Sequence, residues 1–237
     1  MRTKEFGETD LLVTFFTPEQ GQLKAVAKGG RKSRKRFANS LDVFSLVVLE
    51  YESRKEGTLP LLQSGKLVHA FPGIRSDYTR LSLASYMVEL TEALFPLGVA
   101  DKRAFDLLKN SLYALDRGHG EQEIIVPFEA GALALGGYRI NLERCCLCGR
   151  RYMGQGTAVF VRERGGIACM RCRRPSVDMP SLSPEALKVL DSLQSVSHEL
   201  GEDLGPSKGV LSEIRPVLRL HRDYRIERPL KTAKHVD

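Results

Sequence analysis

Two Cys-x2-Cys pairs constrain the fold of this sequence more than any other feature. Cys145 and Cys148 form the first pair, Cys169 and Cys172 form the second, and twenty residues separate the two pairs. This spacing is typical of sites in which each pair supplies two thiolates to one tetrahedral zinc ion. Because four thiolates leave no coordination position open, we predict one structural Zn²⁺ held by these four cysteines. The alternative is two pairs of reduced, buried thiols without a metal.

The number and spacing of the cysteines also indicate the compartment. Five is an odd number and four of the five lie in close pairs, which disfavours a disulfide framework and favours a reducing cytoplasm. The fifth, Cys146, receives no ligand role. No apolar stretch approaches the ~20 residues of a membrane span, and the first ten residues lack the apolar core of a secretory signal. We therefore expect a cytoplasmic protein with no membrane partner.

Positive charge is concentrated in two separate segments of the chain, whose formal net charge is +7. Residues 28–36 contain six basic side chains and no acidic one. Residues 144–174, which include all the cysteines, contain eight arginines and one glutamate. A third and more mixed cluster runs from Arg215 to Lys234. A single charge run is often only a solvated face, but two concentrated clusters indicate an anionic partner.

Residues 1–79 have the composition of a small β-domain. Strands are expected at 10–17, 22–27, 43–51, 59–62 and 65–70, and several of these segments are rich in β-branched and aromatic residues. Polar turns containing proline or glycine separate them. Short strands joined in this way favour a small barrel or sandwich.

Residues 80–237 have helical periodicity, interrupted by the cysteine-containing insert at 144–174. Asp101 is expected to cap one helix, Pro127 to lie in the first turn of the next, and Ser183 to cap a third. A last helix is expected at about 210–224. The predicted fold class is therefore α+β, with a β-domain at 1–79 and a helical domain at 80–237 that carries the insert.

The motifs of common enzymes do not fit this sequence. Residues 205–209 have the Gly-x-Ser-x-Gly form of a nucleophile elbow, but no strand is expected before them. His119 and Glu121 have the His-x-Glu form of zinc deaminases, but neither cysteine pair is preceded by proline. No phosphate-binding loop or dinucleotide fingerprint is present. We predict no catalysis and no small-molecule substrate.

The basic run between the second and third predicted strands is the candidate nucleic-acid surface. Its cations are Lys28, Arg31, Lys32, Arg34, Lys35 and Arg36. Lysine and arginine neutralise phosphates and release counterions, which gives salt-sensitive binding with little sequence preference. Phe15, Phe16, Phe37 and Phe44 are candidates for stacking on bases, although a small barrel needs most of its aromatic rings in the core. The alternative is a merely solvated loop.

Four segments of the chain, in their order, resemble one known family. Residues 6–36 contain a Gly-Glu-x-Asp turn, a strand, a Thr-Pro-Glu-Gln-Gly turn and then Ala-Lys-Gly before the basic run. Residues 136–149 lead into the first cysteine pair, and residues 182–190 and 218–232 are similar to the closing helices of that family. The segments together resemble the RecO family of bacterial recombination mediators.

The resemblance implies an N-terminal OB-fold barrel followed by a helical domain with a zinc-binding insert. It implies binding of single- and double-stranded DNA, annealing of complementary strands, and nucleoid association when bound to DNA. It also implies work with RecR and with the C-terminal tail of single-strand-binding protein during loading of RecA. Carried over by position, the six cations at 28–36 contact DNA, and Cys145, Cys148, Cys169 and Cys172 hold zinc.

The sequence differs from the family pattern in its first strand. Members have a full strand before the Phe-Gly-Glu turn, whereas five residues precede Phe6 here. Either the first strand is shortened or the true start lies upstream, and a shortened strand is expected to leave an edge of the barrel exposed. The alternative function, from a different class, is a zinc-ribbon adaptor whose main ligand is a protein and which does not anneal DNA.

Overall fold

The first five strands form one sheet at the N-terminus of the computed structural model, which describes residues 2–33, 35–53, 57–174, 176, 179–195 and 206–236. These strands are β1 (Arg2–Phe6), β2 (Asp10–Thr17), β3 (Gly21–Ala27), β4 (Leu46–Glu52) and β5 (Leu61–His69). Their order in the sheet is β1-β2-β3-β5-β4. The β3–β5 pair is parallel, and the other pairs are antiparallel.

Two strand predictions needed correction. The strand expected at 43–51 begins at Leu46 instead, because Phe44 has a φ of +54°, which a strand does not accommodate. The two weak strands expected at 59–62 and 65–70 form the single strand β5. Gly65 allows this continuity, since a Cβ there would collide with Ser40, and its N–H donates to the Arg36 carbonyl at 2.8 Å.

The sheet is OB-like but is not a closed barrel. β1 has five residues, all exposed, and it pairs with β2 along its whole length. Within the described residues, β1 and β4 share no ladder and remain the two edges of the sheet. Near the open side, the Thr3 hydroxyl donates to the Leu41 carbonyl at 2.8 Å. The predicted α+β architecture with an N-terminal OB-like sheet is confirmed, and the expectation of an exposed edge is met.

The rest of the chain forms helices around a large apolar core. They are α1 (Pro72–Arg75), α2 (Tyr78–Leu94), α3 (Lys102–Arg117), α4 (Glu121–Leu135), α5 (Pro184–Gln194) and α6 (Lys208–Arg225), followed by a 3-10 turn at Ala233–His235. The predicted caps are confirmed: Asp101 accepts from the N–H groups of Arg103 and Ala104, and the Ser183 hydroxyl accepts from Ala186 N–H.

The start of α4 was predicted wrongly. The helix begins at Glu121, six residues before Pro127, which lies in its interior. Glu121 and Glu123 favour the start that is observed, because carboxylates in a first turn complement the helix dipole. The last helix extends slightly beyond the predicted range and is capped by Ser207, with Pro216 in its interior. Residues 196–205, which precede this helix, lie outside the described residues.

The insert forms a second, small sheet with the order β7-β6-β8. Its strands are β6 (Ala158–Val161), β7 (Gly166–Cys169) and β8 (Ser181–Leu182). β6 is buried throughout, and the Phe160 ring meets the His221 ring of α6 edge-on at 5.7 Å between centroids. The insert therefore packs on the helical domain through an apolar strand.

Specific contacts fix the β-domain on the α2–α3 side of the helical domain. Arg2 of β1 pairs with Glu92 of α2 at 2.6 Å. The Phe16 ring of β2 lies 6.3 Å from the Phe105 ring of α3, between centroids. None of the described helices is long and apolar enough to cross a bilayer.

Candidate metal centre and nucleic-acid surface

The four paired cysteines meet at one point at the end of β7. Their sulfur atoms all lie within 4.8 Å of one another, although residues from the two pairs are more than twenty positions apart. The Cys148 and Cys169 sulfurs are separated by 3.9 Å. Tetrahedral ligands about 2.3 Å from a zinc ion would lie about 3.8 Å apart. The cluster therefore has the dimensions of a four-thiolate metal site.

Backbone turns position each pair of sulfurs. After the first pair, Gly149 has a φ of +73° and donates its N–H to the Cys145 carbonyl at 2.9 Å. After the second pair, the Cys172 N–H donates to the Cys169 carbonyl at 2.9 Å. The Cys145 N–H donates to the Arg150 carbonyl at 2.8 Å. Both pairs are thus held in place by local backbone hydrogen bonds that do not involve a metal.

The electrostatics of the cluster favour a thiolate at Cys145. Burial raises the pKa of the Cys145 thiol, but N–H groups of Cys148, Cys169 and Leu147 outweigh burial and lower the pKa to about 6. The Cys169 N–H lies 3.3 Å from this sulfur. Hydrogen bonds to the neighbouring sulfurs of Cys169 and Cys148 raise the pKa of Cys172 to about 12. Cys172 therefore retains a proton that a divalent cation would displace.

Cys146 lies outside the four-sulfur group. Its N–H donates to the Ile167 carbonyl at 2.8 Å, and its side chain packs beside Val161 and Ala168. Burial, followed by the nearby charge of Cys145, raises the pKa of the Cys146 thiol. A protonated thiol packed beside apolar side chains is a poor metal ligand.

The basic loop at 28–36 follows β3 and is anchored to the sheet by its backbone. The Gly29 N–H donates to Asp10 Oδ1 at 2.8 Å, and the Arg31 N–H donates to the Thr9 carbonyl at 3.1 Å. At the other end of the loop, the Arg36 carbonyl accepts from Gly65 N–H. The loop is therefore fixed at both ends against the sheet.

The cations of this loop that the structure describes are exposed, but they differ in how they are held. Arg31 pairs with Glu5 at 3.1 Å and donates to the Glu8 carbonyl. Arg36 donates to the Lys28 carbonyl at 2.5 Å and lies over the Phe37 ring at 5.1 Å. With the described residues as partners, Lys28, Lys32 and Lys35 form no ion pair. Arg34 lies outside the described residues.

The four phenylalanines considered for stacking are buried or half-buried. Phe15 and Phe37 are buried in the core of the β-domain. Phe16 and Phe44 pack against the helical core. The accessible ring next to the loop is Phe6, 48% exposed at the end of β1, which the sequence analysis did not single out. In the sequence, Phe6 directly precedes the Gly-Glu-x-Asp turn, and Glu8 of that turn accepts a hydrogen bond from Arg31 in the structure.

The mixed C-terminal cluster is partly structural. Arg222 is buried and pairs with Glu129, and Arg215 pairs with the same carboxylate at 3.1 Å. Arg215 also donates to the Val236 carbonyl at 2.5 Å. These two arginines therefore stabilise the interior, whereas Arg219 and Arg228 remain exposed.

An apolar cavity of about 620 Å³ separates part of the sheet from α3. The rings of Phe16, Phe44 and Phe105 line it. Its cation, Lys109, is paired with Asp106 at 2.7 Å. The cavity wall joins no acid, base and nucleophile in the arrangement that a catalytic site needs.

Comparisons with known proteins agree with these observations. The family profile described as "Recombination protein O N terminal" matches residues 1–71, and the profile described as "Recombination protein O C terminal" matches residues 75–234. The "DNA repair protein RecO" of Desulfatibacillum aliphaticivorans is 39% identical over 194 residues, which cover 80% of this chain and 75% of the relative. The protein of that name from Syntrophus aciditrophicus (strain SB) is 30% identical over 239 residues, which cover 100% and 92%. The chain belongs to the RecO family of DNA repair proteins.

Proposed function

We propose that this protein is a non-catalytic mediator of recombinational repair that binds single- and double-stranded DNA with little sequence preference and anneals complementary strands. The observation that carries the proposal is the exposed loop at 28–36, which backbone hydrogen bonds hold on the OB-like sheet. Cations on such a loop neutralise phosphates and weaken the repulsion between two strands. Annealing by this route needs no covalent step.

We assign DNA contact to Lys28, Arg31, Lys32, Arg34, Lys35 and Arg36. Lys28, Lys32 and Lys35 carry most of the salt-sensitive binding in this proposal, because they are exposed and unpaired with the described residues. Arg31 and Arg36 are already engaged by protein groups, so they shape the loop as well as meeting phosphate. Phosphate contacts of this kind do not distinguish base sequences.

We propose that the metal is Zn²⁺ and that its role is structural. Cys145, Cys148, Cys169 and Cys172 supply four soft thiolates, a donor set that selects zinc among the common divalent cations. A closed four-thiolate site offers no position for an activated water. Bound there, the ion would supply folding energy to an insert that is small and rich in repelling arginines.

The remaining roles follow from membership of the family and stand as proposals. The protein acts in the cytoplasm, at the nucleoid when bound to DNA. With RecR it assists the loading of RecA onto strands coated with single-strand-binding protein. The acidic C-terminal tail of that protein binds the helical domain, where exposed arginines such as Arg219 and Arg228 complement its charge.

The test is the annealing rate of two complementary, dye-labelled oligonucleotides at low and physiological salt. The triple variant K28A/K32A/K35A removes three exposed cations from the loop. A matched variant, R117A/K188A/K208A, removes three exposed cations outside it. Faster annealing with wild type and with the matched variant, lost in the loop variant, supports the proposal. If wild type has no effect at either salt concentration, the DNA-centred function is wrong and the adaptor function is favoured.

A further inference from the structure

A second basic surface lies where the turn between β6 and β7 meets the C-terminal end of α6. A Cβ built on Gly165 would overlap the guanidinium of Arg225, so that side chain lies directly over the turn. The Arg225 guanidinium also lies 5.5 Å from the centroid of the Tyr224 ring. Tyr224 is 49% exposed. The helix end and the turn therefore present an arginine and an accessible aromatic ring side by side.

Further arginines of the insert extend from the same β6–β7 hairpin. Arg164 lies in the same turn, and Arg173 directly follows the second cysteine pair, where its N–H donates to the Cys169 carbonyl at 3.1 Å. Hydrogen bonds from its own N–H and from Arg162 lower the pKa of Glu163 in the turn, and the charge of Arg173 lowers it further. Arg164 and Arg173 are exposed and, within the described part of the chain, form no ion pair.

Two acidic side chains of this region are already engaged. Glu163 pairs with Arg162 at 3.0 Å, and Asp223 pairs with the buried Arg222 at 2.8 Å. The cations of Arg164, Arg173 and Arg225 are therefore not neutralised by these carboxylates. A surface with unpaired arginines beside an exposed aromatic ring has the chemistry that binds unpaired nucleotides.

This surface and the basic loop belong to parts of the chain that pack on different helices. The β-domain contacts α2 through Arg2 and Glu92, and it contacts α3 through Phe16 and Phe105. The insert contacts α6 through its buried strand β6. Residue 140, which precedes the insert, exchanges two hydrogen bonds with Gln194 of α5. The two basic surfaces are therefore carried by separate parts of the fold.

We propose that Arg164, Arg173, Arg225 and Tyr224 form a second binding surface for single-stranded DNA. The proposal rests on the proposed function and extends it, because one molecule would then hold two strands at once. The arginines contact phosphates, and the ring of Tyr224 stacks on a base that is not paired. A duplex offers no such base in its interior, so this surface prefers single strands.

The test counts oligonucleotides bound per protein monomer by native mass spectrometry, with a short thymidine oligonucleotide as the probe. The insert variant is R164A/R173A/R225A, and R117A/K188A/K208A is the matched control. We expect two oligonucleotides on wild type and on the control, and one on the insert variant and on K28A/K32A/K35A. Two oligonucleotides still bound to the insert variant would overturn this proposal. If only the loop variant still bound two oligonucleotides, the result would contradict the proposed role of the loop and leave the second surface supported.

Tyr224 provides a readout that does not depend on charge. Tyr224→Phe keeps the ring and is expected to retain binding at the second surface. Tyr224→Ala removes the ring and is expected to weaken that binding by about five- to a hundred-fold, the usual range for loss of one stacked base. The affinity for duplex DNA is expected to change little in both variants. Equal single-strand affinities for the two variants would contradict the stacking role.

Discussion

Arg222 of α6 and Glu129 of α4 form an ion pair inside the helical domain, with Nη1 and Oε1 3.2 Å apart and side chains 1% and 0% exposed. The Tyr86 hydroxyl donates to the same carboxylate oxygen, and Arg215 pairs with the other oxygen. Burial raises the pKa of Tyr86 well above its usual value, so the hydroxyl stays protonated as a donor. The group joins α2, α4 and α6 through charges that water does not screen.

Removing one partner of this ion pair is expected to lower the free energy of unfolding strongly. Arg222→Met leaves Glu129 buried with fewer partners, and we expect the free energy of unfolding to fall by about 3–5 kcal/mol. Arg219→Ala, an exposed position on the same helix, should change it by less than about 0.5 kcal/mol. Urea unfolding followed by circular dichroism measures both. Replacing Glu129 by Met as well should recover part of the loss; no recovery would mean that the packing of Arg222, rather than its charge, matters.

Removal of one sulfur ligand should separate metal binding from the packing of the insert. Cys172→Ser is expected to abolish retention of zinc after dialysis, because three ligands remain at an exposed site. Cys146→Ser is the matched control and should retain the metal. Elemental analysis together with far-ultraviolet circular dichroism measures the effect. The helical signal should persist in Cys172→Ser, since most side chains of the core that α2 to α6 share come from the helices themselves. Zinc retained by Cys172→Ser at the wild-type level would contradict the four-sulfur assignment.

The stability of the insert–helix contact should depend on pH through His221. Burial lowers the pKa of this imidazole, which donates to the Tyr138 carbonyl at 2.8 Å, and the charge of Arg225 lowers it further. Below pH about 6.5 the unfolded chain therefore binds a proton that the folded chain resists. Stability is present above that pH and falls as the pH decreases.

Urea midpoints at about pH 7 and pH 5 give the measurement of this dependence. His221→Gln keeps a donor without the titrating ring, so its midpoint should change less over this range than that of wild type. A steeper loss in the variant would show that other groups dominate the acid sensitivity. The comparison is made at fixed zinc concentration, because acid also protonates thiolates.

Two glycines with similar backbone angles should respond differently to alanine. Gly21 and Gly7 have φ values of +65° and +73°. A Cβ on Gly21 would collide with the Val99 carbonyl, whereas a Cβ on Gly7 would meet nothing within 4 Å. Gly7→Ala should cost about 1–2 kcal/mol for the left-handed backbone alone. Gly21→Ala should cost about 1–3 kcal/mol more, because the β-domain must move away from the chain that follows α2. Equal thermal shifts would mean that this contact does not hold the domains together.

Within the basic loop, Lys35 and Arg36 should differ in what their removal changes. Lys35→Ala removes an exposed cation, so the slope of log affinity against log salt should fall by about 0.7 for single-stranded DNA, with little change in stability. Arg36→Ala also removes the contacts with the Lys28 carbonyl and the Phe37 ring, so it should lower stability as well. Fluorescence anisotropy and thermal unfolding separate the two effects. A stability loss for Lys35→Ala equal to that for Arg36→Ala would contradict this division.

Local signals accounted for most of what could be predicted from the sequence. The cysteine spacing is a local pattern with a known coordination geometry, and the caps at Asp101 and Ser183 act within one turn of their helices. The start of α4 was placed at Pro127 because proline is favoured in a first turn. The carboxylates of Glu121 and Glu123 mark the observed start more accurately. The open sheet and the contact of Arg225 with Gly165 depend on pairing between distant segments, which periodicity does not encode.

The free edge of β4 also bears on how the protein behaves when concentrated. An edge strand offers unpaired backbone groups to any neighbouring molecule, and Val48 on this strand is 58% exposed. Glu50 and Glu52 lie exposed on the same strand, and their carboxylates accept hydrogen bonds from Ser64 and Gln63 of β5. Two copies that approached each other edge to edge would bring like charges together. Repulsion between these acidic side chains therefore opposes edge-to-edge aggregation. A closed barrel would need no such protection, because it has no free edge strand.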